Sequence, residues 1–304
     1  MNKILVPPIK CQGIKTKLVP LILANAGNIP NGRWIEPFMG SCVVGLNARC
    51  PQALFSDQNP HLVNFYQALQ DGTITANIAR EFLEWEGSQL ETIGEKHYYD
   101  IRTRFNEKGN PLDFLFLSRA CFNGLIRFNS KGKFNVPFCR KPQRFAKAYI
   151  TKIVNQIKQF REVTEHFDWH FTCCDFETAI EQATENDLIY CDPPYLGRHT
   201  DYFDSWSEDD EYKLFCALSK TSARFILSTW HSNQYRENET LKKFWSTFNV
   251  ITKEHFYHVG AKETNRSAML EALVLNFPTK QIFSEKSKTP TPSLFDVFTV
   301  SEFV

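Results

Sequence analysis

No apolar run in the 304 residues approaches the roughly 18 that a membrane-spanning helix requires, so no helical span is expected. The opening stretch Met1-Asn2-Lys3-Ile4-Leu5-Val6-Pro7-Pro8 is too short to serve as the apolar core of a secretory signal, which makes the cytoplasm the expected location. Nine cysteines include no Cys-x-x-Cys pair and no Cys/His cluster at zinc spacing, so no metal is expected and the thiols read as reduced. The adjacent Cys173-Cys174 pair, at the end of a predicted strand, reads as packing. The glycine pattern G-x-G-x-x-G is missing, which argues against a pyrophosphate cradle and hence against a dinucleotide cofactor. Finally, no Asp or Glu occurs between Phe114 and Arg161.

That last absence exposes what is present. Arg119, Arg127, Lys131, Lys133, Arg140, Lys141, Arg144, Lys147, Lys152, Lys158 and Arg161 are all basic, and the net charge of +1 hides them behind acids elsewhere, notably from Asp201 to Glu211. A solvated helix face ordinarily mixes signs, so an unbalanced stretch of this length points to a polyanionic partner.

A hydrophobic content of 42% supplies a sizeable core. Arg33 to Phe38 reads as a first strand, Met39 to Ser41 as a turn and Cys42 to Arg49 as a helix, followed by a strand at Ala53 to Ser56 and a helix at His61 to Leu69. Strands then resume at Asp168 to Thr172, Asp187 to Cys191, Arg224 to Thr229, Val250 to His255 and Met269 to Phe277. Helices are expected between them near Phe176 to Ala183, Glu208 to Ser219 and Glu239 to Trp245. The expected fold is α/β, a doubly wound, mostly parallel seven-stranded sheet.

The two blocks divide the chain into residues 1–71 with 162–278, an inserted module over 72–161, and a Pro/Lys/Thr-rich tail over 279–304 that is expected to be mobile. The insert reads as mainly helical around Ile78 to Trp85, Tyr98 to Phe105 and Asp113 to Cys121. Phe128 to Phe138, with apolar residues flanking Lys131-Gly132-Lys133, reads as a basic hairpin.

Asp192-Pro193-Pro194-Tyr195 follows the apolar run Leu188 to Cys191. An exocyclic amine on a nucleobase is a poor nucleophile because its lone pair is delocalised into the ring. Two acceptors and a stacking face can localise that pair: the Asp192 carboxylate, the Pro193 carbonyl and the Tyr195 ring. Pro194 restricts its neighbour and offers no competing N–H. The plainer alternative is a loop in which Asp192 caps a helix.

Glu36-Pro37-Phe38-Met39-Gly40-Ser41 places an acid at the end of the first strand and a glycine where backbone can approach a ligand, while Asp57 ends the second strand, where an acid can hold ribose hydroxyls. Asp175-Phe176 offers an acid and a ring for an adenine, or simply an N-cap for the next helix.

These parts, in this order, resemble the Dam-like, alpha-group DNA adenine-N6 methyltransferases of the D12 class. Glu36 to Gly40 looks like the family's cofactor loop, Ser56-Asp57-Gln58-Asn59 like its ribose acid, Asp175-Phe176 like its adenine contacts and Asp192 to Tyr195 like its catalytic motif. Asn123-Gly124-Leu125-Ile126-Arg127-Phe128-Asn129 through Phe134 to Phe138 matches the base of its recognition hairpin. The resemblance implies the Rossmann-like methyltransferase fold, S-adenosyl-L-methionine as methyl donor and a flipped adenine in double-stranded DNA as acceptor. It also implies a monomer in action, in some settings beside a cognate restriction endonuclease. By the same match Lys15 would lie near the cofactor and target pocket and Lys10 near the DNA; Arg127 and Asn129 of the matched segment, and Lys131, Lys133, Arg140 and Arg144 of the basic stretch, are candidates for DNA contact. The chain departs from the family in Cys11-Gln12-Gly13-Ile14-Lys15, which lacks the tryptophan and second glycine of W-x-G-G-K, and in Cys42, where a glycine is common. Cytosine N4, guanine N2 in RNA and a non-catalytic DNA-binding role are the alternatives.

Overall fold

The computed structural model describes residues 3–11, 13–29, 31–196, 206–256 and 268–278. The tail and residues 201 to 205 of the acidic stretch lie outside the described residues. The chain begins with α1 (Val19–Ala26), β1 (Trp34–Glu36), α2 (Val43–Ala48), β2 (Gln52–Asp57) and α3 (Pro60–Gln70). Four helices follow: α4 (Ala76–Ile93), α5 (Glu95–Lys108), α6 (Pro111–Ala120) and α7 (Lys147–Thr164). The second block runs β3 (Asp168–Cys173), α8 (Phe176–Glu181), β4 (Leu188–Cys191), α9 (Glu208–Lys220), β5 (Arg224–Asn233), α10 (Glu239–Phe244), β6 (Asn249–Phe256) and β7 (Ala268–Leu275).

The seven strands form one sheet in the order β3-β2-β1-β4-β5-β7-β6, with β1 to β5 mutually parallel and β7 antiparallel to both neighbours. The chain winds outward from β1 to β3 and returns to β4 on the other side of β1, so the switch point lies between β1 and β4. Trp34 pairs with Ala53 on one side and Leu188 on the other, which brings the ends of β1, β2 and β4 to one edge. Side chains alternate across the sheet: Trp34, Phe55 and Tyr190 enter one core, while Ile35, Leu54 and Ile189 enter the other. Both faces are covered, which is why β1 and β4 are uninterruptedly apolar up to the acid at their ends.

Where sequence and structure differ, the reasons are local. Helix α1, which the sequence reading did not include, carries Pro20 in its first turn, where a proline sacrifices no hydrogen bond. Helices α4 and α5 extend beyond their predicted apolar stretches as amphipathic helices with exposed polar faces, α4 starting at a Thr75 cap. The expected basic hairpin is not a pair of regular strands. Isolated bridges join Cys121 to Phe138 and Phe128 to Phe134, and the Asn129 carboxamide accepts from the amides of Lys131 and Lys133 at 3.0 and 3.1 Å, closing a tight loop. Cys173, expected to pack, is exposed on the edge strand β3.

The helical segment has no core of its own. Tyr66 of α3 lies against Phe160 of α7 and Phe171 of β3, and Phe105, Phe114 and Phe128 continue the same cluster. Among the described residues no helix is long and apolar enough to cross a membrane.

Candidate active site

A cavity of about 480 Å³ opens where β1, β2 and β4 end. Its β1 wall is Glu36, 2% exposed, whose Oε2 accepts from the Trp34 indole and the Gly45 amide, both at 2.9 Å. A methyl group at Gly45 would lie 2.1 Å from the Phe55 ring and 2.7 Å from that same oxygen, so only glycine lets α2 approach the acid. Burial pushes the Glu36 carboxyl up to about 8, and the neighbouring Asp192 adds to this against the two donated bonds.

The loop after Glu36 is set by backbone geometry. Gly40, at φ 47°, donates its amide to Asp57 Oδ2 at 2.9 Å, and the Asn59 amide reaches Asp57 Oδ1 at 2.9 Å. Burial raises the Asp57 carboxyl, and these two bonds oppose the rise. Cys42 adopts φ 57°, the left-handed region, which accounts physically for glycine being common there. Phe38 stacks on Phe176 at 5.3 Å and 23°, and Trp206 closes edge-on to Phe38 at 5.6 Å. Asp175 caps α8 through the Thr178 amide at 2.7 Å, a bond that holds its carboxyl below the usual range.

Asp192 emerges from β4 beside this cradle. Lys15 Nζ lies 2.8 Å from Asp192 Oδ1 and 4.8 Å from the centre of the Tyr195 ring, joining the N-terminal loop to the segment after β4. Burial raises the Asp192 carboxyl, Lys15 lowers it and Glu271 raises it further. Tyr195 donates its hydroxyl to Glu271 Oε2 at 2.7 Å, and its ring packs with Trp230. Pro193 is buried, and Pro194 lines the cavity.

On the basic side, Lys10 crosses Gly124, whose added methyl would meet the lysine stem at 2.6 Å. Arg127 Nε donates to the Asn135 side chain at 2.9 Å, while Lys131, Lys133 and Arg140 are exposed. Arg144 turns inward, donating to the Arg119 carbonyl at 2.7 Å and the Tyr149 hydroxyl at 3.0 Å. Arg119, 5% exposed, donates to the Pro8 carbonyl and to Gln156, both at 2.7 Å. The basic run is therefore partly structural: Arg119, Arg144 and Arg161 hold backbone carbonyls. Among the described residues no group of three or more His, Cys, Asp or Glu could hold a metal ion.

The family model for the D12 class N6 adenine-specific DNA methyltransferases matches residues 12–259. The chain belongs to this family. Retron Ec67 DNA adenine methylase of Escherichia coli is 31% identical over 223 residues, covering 71% of this chain and 73% of that protein. DNA adenine methylase of Vibrio cholerae serotype O1 is 31% identical over 218 residues, covering 68% and 74%. Type II methyltransferase M.FokI of Planomicrobium okeanokoites is 29% identical over 254 residues, covering 80% of this chain but only 39% of that protein.

For this D12-family chain, sequence reading missed several groups at the site. Trp206, Ile126 and Tyr190 line the cavity, and Glu271 accepts from the Tyr195 hydroxyl. Only Tyr190 carried a signal, since period-two alternation in β4 puts it on the face of Asp192. The others arrive through tertiary contacts with no local pattern.

Proposed function

We propose that this protein transfers a methyl group from S-adenosyl-L-methionine to the N6 amine of an adenine flipped out of double-stranded DNA. The observation that carries the reading is the convergence of Asp192 and Pro194, just after β4, on a cavity whose other strand ends carry Glu36 and Asp57.

The residues fit the methyl donor. Asp57, fixed by two amides, is set to accept from ribose hydroxyls, and Phe38 and Phe176 offer an apolar slot for a purine. Glu36 supplies acid toward a cationic group, and the cavity is large enough for a nucleoside with an amino-acid chain. When bound, the sulfonium donor supplies an activated methyl group, so the protein need only prepare the acceptor.

Asp192 and the Pro193 carbonyl would each accept one N–H of the target amine, drawing its lone pair out of conjugation, while the Tyr195 ring stacks on the base. Glu271 holds the Tyr195 hydroxyl and thereby fixes the ring. Lys15 favours the ionised form of Asp192, leaving the second carboxylate oxygen for the amine. Asp192 need not be a strong base, because the amine becomes acidic only as the new bond forms.

Residues 72–161 serve in this reading as the target-recognition module within a catalytic unit of 1–71 and 162–278. In this reading the exposed Lys131, Lys133 and Arg140 contact phosphates, and Lys10 and Arg127 belong to the same DNA-facing set. Arg144 contributes by shaping the loop. We assign the enzyme to the cytoplasm, acting as a monomer. The names of relatives such as M.FokI support a further role as the modification partner of a separate endonuclease.

Transfer of labelled methyl from S-adenosyl-L-methionine to adenine in DNA, lost in Asp192→Ala, is the expected result. Label on cytosine or RNA, or on no nucleic acid at all, would overturn the reading. Sequencing DNA from a methylation-free host that expresses the chain identifies the target site.

A further inference from the structure

Several buried side-chain polar atoms lack a hydrogen bond among the described residues. Those of Asn25, His61, Ser228 and Trp230 belong to residues away from the cavity wall, and Asp192 Oδ1 faces Lys15 at 2.8 Å. The remaining one is the hydroxyl of Tyr190. Tyr190 lies on β4, is 0% exposed, stacks on Trp34 at 5.8 Å and lines the cavity.

A buried hydroxyl left unpaired is destabilising, and phenylalanine would fill the same space without that cost. The fold alone therefore gives no reason for the oxygen. Its surroundings suggest one. The charged groups acting on the hydroxyl are Asp192, Lys15 and Glu36, acids and a base together, with Tyr195 nearby. Burial, followed by Asp192, keeps the phenol protonated, so it remains both donor and acceptor.

The nucleoside end of the donor is already provided for by Asp57, Phe38 and Phe176. What remains is a zwitterionic end, which a neutral hydroxyl among charges of both signs suits. We propose that the Tyr190 hydroxyl is a hydrogen-bonding contact for the α-amino-acid end of the methyl donor. This inference rests on the cofactor reading given above.

Calorimetric titration of the full chain and of Tyr190→Phe with S-adenosyl-L-methionine, S-adenosylhomocysteine and adenosine tests it, alongside ligand-free melting. The variant should bind the first two about 5- to 20-fold more weakly, the worth of one lost hydrogen bond. It should bind adenosine within about 2-fold of the parent, and its ligand-free Tm should equal or exceed the parent's. An unchanged affinity for S-adenosyl-L-methionine, an equal loss for adenosine, or a lower ligand-free Tm would each overturn the inference. A parent chain that binds neither S-adenosyl compound would instead overturn the cofactor reading itself.

Discussion

The helical segment and the cavity both bury carboxylates, but they do so in opposite ways. Glu86 and Asp113, 4% and 1% exposed, share one guanidinium: Arg104 donates to Glu86 Oε1 at 2.8 Å and to Asp113 Oδ2 at 2.9 Å. These bonds to Asp113 and Glu86 hold the arginine firmly charged. Glu36 and Asp57 have neutral N–H donors in place of a cation. Burial consequently raises both carboxyls, and the cavity contains acids that gain when a cationic or hydroxyl-bearing ligand arrives. An acid that serves the fold is neutralised within the fold, whereas an acid that serves a ligand is left to be completed by it.

Removing Asp192 should have the largest effect. Asp192→Ala is expected to lower methyl transfer by at least about 10²–10³-fold, measured as label incorporated into DNA. Retention of a tenth of the activity would show that the amine is held elsewhere. Breaking the other side of the comparison, Arg104→Met leaves Asp113 without its cation and Glu86 with only His97, and should cost about 2–3 kcal/mol in chemical denaturation, less than a fully buried pair because the guanidinium is 39% exposed. A cost below about 1 kcal/mol would mean that Glu86 and Asp113 are as tolerant of isolation as the cavity acids.

The acids with only neutral donors should also make ligand-free stability depend on pH. Glu36 is pushed up from 4.5 to about 8, so between those values the folded chain binds a proton that the unfolded chain has lost. Stability is therefore fullest below the unfolded value and declines as pH rises through the folded one. Melting temperature should fall from about pH 5 to pH 8, and Glu36→Gln should flatten that slope. An identical slope in the variant would assign it to Asp57 and Asp192, which shift in the same direction. The smallest effects belong to the exposed lysines. Lys131→Ala and Lys133→Ala should each weaken DNA binding similarly across sequences and reduce the salt-dependence slope by about 1, read from affinity against salt concentration.

Much of the site was legible because its parts are contiguous. Asp192 to Tyr195 is one tetrapeptide after one apolar run, and Glu36 and Asp57 mark strand ends that hydrophobic patterning locates. The helical segment was legible in kind, but its reach was not, because the polar faces of α4 and α5 obscure the apolar spacing. The basic run was read as a single feature. The folded chain divides it between exposed Lys131, Lys133 and Arg140 and inward-turned Arg119, Arg144 and Arg161. Charge is a property of composition, while the partner of each charge depends on which carbonyl the fold brings near.

The sequence by itself determined the chemistry on offer: a carboxylate, a rigid proline pair and a ring in fixed succession, two strand-end acids, a basic stretch, and the parallel sheet that its alternating blocks require. These follow from local sterics, hydrophobic period and charge, all of which act between neighbours along the chain. Tertiary structure alone decided what completes each group. It brought Lys15 against Asp192, put Glu271 under a tyrosine 76 residues away in the chain, set Trp206 against Phe38, and left the buried Tyr190 hydroxyl without a partner. Contacts of that kind join residues distant in sequence, and their geometry exists only once the packed sheet has fixed where the strands end.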